Sequence, residues 1–132
     1  MERIPILKMG DFLLVTIQVD LYDQLAENLE SDLVNSVKKY GSKGVLVDIS
    51  SVSIIDSFMG RILGNIATMS GIMGAQSVIV GMQPAVAMTL VELGLSLAGV
   101  YTALNVEKGM DLLRAKIALS EGQIYDNEND PE

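Results

Sequence analysis

Apolar positions along the chain follow two rhythms that take turns. Ile4–Lys8 and the β-branched run Phe12–Val19 read as a strand pair, a hairpin, and after them Leu25, Leu29, Leu33 and Val37 recur every fourth residue on one helical face. Asp20 and Asp23 are candidate caps for the start of that helix. At its end Lys38 and Lys39 suit the negative pole, and Gly41 can adopt the left-handed closing conformation. The alternation then continues with a buried strand, Val45–Ile49, a helix, Ser57–Met73, and a second buried strand, Ser77–Val80, flanked by Gly74 and Gly81. Pro84 suits the first turn of a helix lined by Val86, Leu90 and Leu93 and ending near Gly94. A short strand, Val100–Leu104, and a last helix, Glu107–Leu119, with Met110, Leu113 and Ile117 on one face, complete the pattern. Short links between alternating strands and helices predict an α/β domain with a mixed, mostly parallel β-sheet and packed α-helices.

Thirty consecutive positions, Ile62–Val91, carry no charge. Asn65, Gln76, Gln83, Pro84 and several glycines cut this stretch into helix, strand and helix, so it does not read as a membrane span. An isolated small domain normally has charges on its outward helical faces, and their lack here predicts that the chain self-associates, at least as a dimer. Tight packing of Gly60, Gly64, Met69 and Met73 on the sheet would explain the same residues without a partner. After Leu119 the sequence turns polar and acidic, and residues 120–132 are expected to form a disordered tail outside a domain spanning 1–119.

With 132 residues the chain is long enough for one core. It has no Cys and no His, which removes disulfides, thiolate metal sites, the commonest general base and the commonest metal ligand. No cofactor or metal is expected, and no catalysis. Nine bases against seventeen acids give a net charge of −8. Five of those acids (Glu121, Asp126, Glu128, Asp130, Glu132) lie after Leu119 with no base among them, so residues 1–119 carry only −3. A basic stripe with interleaved aromatics is missing, which argues against nucleic acid, and an anionic membrane surface would repel the chain. The apolar stretch near the N-terminus is too short for a signal-peptide core, so a cytoplasmic protein with protein partners is the expectation.

Chemistry concentrates at Ser57, which begins a helix just after a strand. One reading is a plain helix cap, a role Ser fills well and one worth roughly 1 kcal/mol. The other is a modification site: unpaired N–H groups at a helix start favour an anion, and a phosphate there would add about −1.5 to −2 charges beside Asp56 and Phe58, loosening a contact. Ser50, Ser51 and Ser53 compete as acceptors but suit the backbone groups of their own loop. Asp48 and Asp56 suggest a receiver-like phosphoacceptor with Mg2+. The acidic pair after a first strand and the Lys after a later one, which such a site needs, do not occur, nor does a Gly-rich run ending in Lys-Ser or Lys-Thr. Asp48 is therefore expected to bind loop amides around Ser50–Ser53, and Asp56 to favour the helix start by charge.

The strand Val45-Leu-Val-Asp-Ile49, the Ser-rich loop, Ile54-Ile-Asp-Ser-Phe58, Gly81-Met-Gln-Pro-Ala-Val-Ala87 and Leu93-Gly-Leu95 together resemble the STAS domains of anti-sigma-factor antagonists. The likeness extends from about Ile4 to Ile117 and takes in Ile4-Pro-Ile-Leu-Lys8 and Leu13-Leu-Val-Thr-Ile-Gln18. Ordinary antagonists carry a small residue after the phosphoserine; Phe58 in that place resembles the RsbS-type scaffolds of the stressosome. The resemblance implies a single STAS domain with Ser57 as phosphoacceptor. It implies a dimer that joins RsbR-type sensor paralogues in a large particle, holds an RsbT-like serine kinase until Ser57 is phosphorylated, and is reset by an RsbX-like phosphatase. Asp56, Phe58, Met59 and Arg61 are expected to face the kinase near the acceptor, with Asn65 further along the helix and Met82 and Gln83 in a neighbouring loop. The alternative is a stand-alone antagonist that binds one anti-sigma kinase.

Overall fold

A computed structural model describes residues 3–95, 97 and 99–128, the last six by their backbone. Five strands, β1 (Ile6–Met9), β2 (Phe12–Thr16), β3 (Gly44–Asp48), β4 (Gln76–Val80) and β5 (Tyr101–Ala103), form one sheet in sequential order. β1 pairs antiparallel to β2 with Leu7 opposite Leu14, and the remaining pairs are parallel. Four helices are described: α1 (Asp23–Tyr40), α2 (Ser57–Ile72), α3 (Pro84–Glu92) and α4 (Val106–Glu128). The mixed, mostly parallel α/β architecture predicted from the alternation is the one observed.

Side chains on successive strand residues point to opposite faces, and this splits the core in two. Leu13, Val15, Val45, Val47 and Ile79 turn toward α1, α2 and α3, where they meet Leu25, Leu29, Leu33, Val37, Ile62, Leu63, Ile66 and Leu90. Phe12, Leu46, Val78 and Val80 turn the other way, onto α4 and its buried Leu113. Both faces of the central strands are covered, which is why β3 and β4 read as continuous apolar runs.

Most element ends differ from the sequence reading by a residue or so, and a few differ for a clear physical reason. β1 begins at Ile6, because Pro5 has no N–H to offer the ladder. Neither Asp20 nor Asp23 caps α1: Tyr22 occupies the cap position without a side-chain capping bond, its carbonyl accepts from the Ala26 N–H at 2.8 Å, and Asp23 falls in the first turn. The far end closes as expected, with Gly41 left-handed and its N–H on the Val37 carbonyl. Val19 lies beyond β2, which stops at Thr16.

The largest difference is α4, whose backbone stays helical through Glu128, well past Leu119 and into the segment expected to be a disordered tail. No proline interrupts the sequence between Val106 and Pro131, and Glu121 pairs with Lys43, the residue just before β3, Nζ to Oε1 3.0 Å, which ties this turn of the helix to the edge of the strand. Residues 129–132 of the expected tail lie outside the described residues.

Candidate functional site at the start of α2

Parallel strands β3 and β4 end on the same side of the sheet, and the two loops that leave them form the site. In the first, the Asp48 carboxylate accepts from the Ser50 N–H at 2.9 Å, as the sequence predicts, and the Val52 N–H donates to the Ile49 carbonyl at 2.9 Å. Gln83, from the second loop, donates its side-chain amide to the Ser50 carbonyl at 2.9 Å. Gly81 has φ +74, and a Cβ there would lie 2.8 Å from the Ser50 Cβ and 3.2 Å from the Asp48 Oδ1, so only glycine lets the loops come this close.

Asp56 is the cap of α2. Its backbone is extended and its Oδ1 accepts from the Met59 N–H at 2.8 Å, while its carbonyl accepts from the Gly60 N–H at 3.0 Å. Ser57 is thus the first helical residue, not the cap, and the reading that assigns its hydroxyl to capping is corrected. Among the described residues no hydrogen bond engages the Ser57 side chain, which is exposed. The Ser57 and Phe58 N–H groups at the first turn have no acceptor among the described contacts either, so an anion on Ser57 Oγ would find both the positive helix pole and free donors.

Of the residues expected around the acceptor, Asp56 and Arg61 are exposed, and Arg61 follows Ser57 by four positions, on the same helical face. Arg61 has no ion-pair partner among the described residues and is the lone charged residue of α2. Asn65 is exposed one further turn along, and Phe58, Met82 and Gln83 are half-buried. Met59 is the exception: it is buried in the main core beside Leu63 and Ile66, so it supports the site from beneath and does not face a partner. The helical period explains the error, since Met59 is two residues from Ser57 and points to the opposite side.

Ile54 was not among the expected site residues, yet it is 84% exposed, three residues before Ser57. The sequence shows two adjacent isoleucines, and nothing in it tells which one enters the core; Ile55 does. Among the described residues no three His, Cys, Asp or Glu side chains gather as a metal site would require, and no helix is long and apolar enough to cross a membrane.

Residues 3–108 match the family model of the STAS domain. A serine-to-glutamate variant of Moorella thermoacetica RsbS superposes with a TM-score of 0.77 at 36% identity, over 87% of this chain and 97% of that one. A chain from a structure of the stressosome, described as a signal integration and transduction hub, gives a TM-score of 0.76 at 39% identity over 86% and 98%. The RsbT co-antagonist protein RsbRA of Bacillus subtilis is 31% identical over 85 residues, which are 64% of this chain and 31% of that protein. The matched region thus spans about a third of this relative's length.

Proposed function

The chain belongs to the STAS domain family, and on that premise we propose that it is a non-catalytic stressosome scaffold and negative regulator, which sequesters an RsbT-like serine kinase and releases it once Ser57 is phosphorylated. The observation that carries the reading is the division of labour at α2: Asp56 caps the helix, so the exposed Ser57 hydroxyl has no structural bond to keep. A serine spent on its own helix would resist modification; this one is free to react.

The kinase transfers the γ-phosphoryl of Mg-ATP to Ser57 Oγ; the new O–P bond replaces the one to ADP, and the hydroxyl proton leaves to the kinase's base. The product adds about −1.5 to −2 charges next to the Asp56 carboxylate, in a surface where a packed partner has displaced water. Like charges at close range and lost hydration both oppose continued binding. Arg61, the nearest cation on the helix, is drawn to the phosphate and away from any carboxylate of the kinase. Loss of about 3 kcal/mol would weaken binding by about two orders of magnitude, enough for one site to act as the release trigger.

Similarity to RsbS and to a stressosome chain at 36% and 39% identity supports assembly with RsbR-type paralogues into a large particle, and an RsbX-like phosphatase would return Ser57 to its free state. The exposed apolar side chains Ile72, Met88 and Val91 in the charge-free stretch support a homodimer within that particle. Intact-mass spectrometry and peptide mapping after incubation with the RsbT-like kinase and Mg-ATP test the switch. One phosphoryl group on wild type, absent from Ser57→Ala, is expected; transfer to another residue or none at all would remove Ser57 from the mechanism.

A further inference from the structure

Ile54 is the most exposed of the large apolar side chains among the described residues. A single isoleucine in water is ordinary on a protein surface; its setting is what distinguishes this one. The backbone on its N-terminal side is held by the Asp48–Ser50, Ile49–Val52 and Gln83–Ser50 hydrogen bonds, and on its C-terminal side by the Asp56 cap. Val52 and Ile55 are buried, so the loop is pinned into the core on either side and Ile54 is left pointing outward from a rigid support. Three residues of chain span at most about 10 Å, so Ile54 lies within the reach of a protein whose active site closes over the Ser57 hydroxyl.

We propose that Ile54 is the apolar anchor for the serine kinase, entering an apolar pocket on that partner and determining which kinase is accepted and held at Ser57. The proposal rests on the preceding reading of Ser57 as the kinase's acceptor. A rigid apolar side chain loses little freedom on binding, and its covering by the partner removes water from the adjacent charged groups, Asp56 and Arg61, which then form the polar rim of the contact. Contact with Ile54 is the same before and during phosphoryl transfer, so it holds the complex without accelerating the chemical step.

The test uses the full chain with Ile54→Ser and Ile54→Val, the RsbT-like kinase and Mg-ATP, reading KM and kcat for Ser57 phosphorylation, capture of the kinase by unmodified protein, particle mass and thermal unfolding. Ile54→Ser is expected to raise KM and weaken capture about tenfold or more, from the loss of most of a buried isoleucine's transfer energy, with kcat and the unfolding temperature unchanged. Ile54→Val, one methylene shorter, is expected to stay within about fourfold of wild type. Equal KM and equal capture for Ile54→Ser and wild type would overturn the anchor while leaving Ser57 phosphorylation in place. Loss of the oligomer with unchanged kinase capture would assign Ile54 to a contact between copies of this chain and likewise overturn it. If wild type itself accepts no phosphate, the Ser57 reading falls separately, and capture alone decides the anchor, equal capture rejecting it.

Discussion

α1 and α2 lie side by side on one face of the same sheet, yet they are built for different surroundings. α1 presents Asp23, Glu27, Asp32, Lys38 and Lys39 around a buried stripe of leucines, and Asp32 is paired with Arg3 at 2.6 Å. α2 has Arg61 as its one charge and leaves Ile72 at 81% exposure. The helix starts differ as well. α1 begins without a side-chain cap and is held by packing, whereas α2 begins at an Asp56 cap whose approach loop is fastened by Asp48 and Gln83. Three side-chain hydrogen bonds fix the approach to α2, whose single charge contrasts with the many of α1, and the proposed partner contact at Ser57 draws on that contrast.

If that contrast holds, core substitutions should not tell the two helices apart. Leu29→Ala in α1 and Met59→Ala in α2 are each expected to cost about 2–5 kcal/mol in urea unfolding, because both side chains are buried. A cost near zero for Met59→Ala would return Met59 to the partner surface. Surface substitutions should separate them sharply. Ser57→Asp is expected to weaken kinase capture about a hundredfold with little change in stability, while Ser57→Ala retains the kinase. Equal capture by both variants would rule out charge-driven release.

Smaller effects sharpen the comparison at the helix start. Asp56→Ala is expected to lower stability by about 1 kcal/mol, and Asp56→Asn to recover most of it, since either side chain can accept the Met59 N–H. An unchanged melting midpoint for the alanine variant would mean that Ser57 replaces the cap, contrary to the division of roles proposed above. The last effect concerns α4. Hydrogen bonding to Glu121, and then its charge, raises the Lys43 pKa above the ordinary lysine value. A cation with a raised folded pKa adds stability while protonated, through neutral pH, and loses it as pH rises through that folded value. The pair is exposed, so the effect is small. An NMR titration of the Lys43 side chain should show its pKa falling in Glu121→Gln; no change would detach this part of α4 from the sheet.

How legible each of these features was depends on whether one residue's neighbours in sequence are also its neighbours in space. The four-residue repeat of Leu25, Leu29, Leu33 and Val37 and the apolar runs of β3 and β4 follow from local periodicity, so the elements and the mostly parallel sheet could be read directly. Asp48 on the Ser50 amide was equally readable, being a contact between near neighbours. Helix ends were less so. Asp and Ser are both good caps, and the sequence Asp56-Ser57 does not say which will serve; the backbone conformation at Asp56 does.

Sequence by itself determined the class of fold, the exclusion of Cys and His chemistry, and the placement of a serine at the start of a helix, because all three depend on residue types and short spacings. Tertiary structure alone decided that Asp56 frees the Ser57 hydroxyl, that Gln83 and Gly81 lock one loop against the other, that Met59 turns inward and that Ile54, not Ile55, stands in water. Each of those outcomes depends on which surface the sheet and helices leave uncovered, and that surface exists only once residues distant in sequence have packed together.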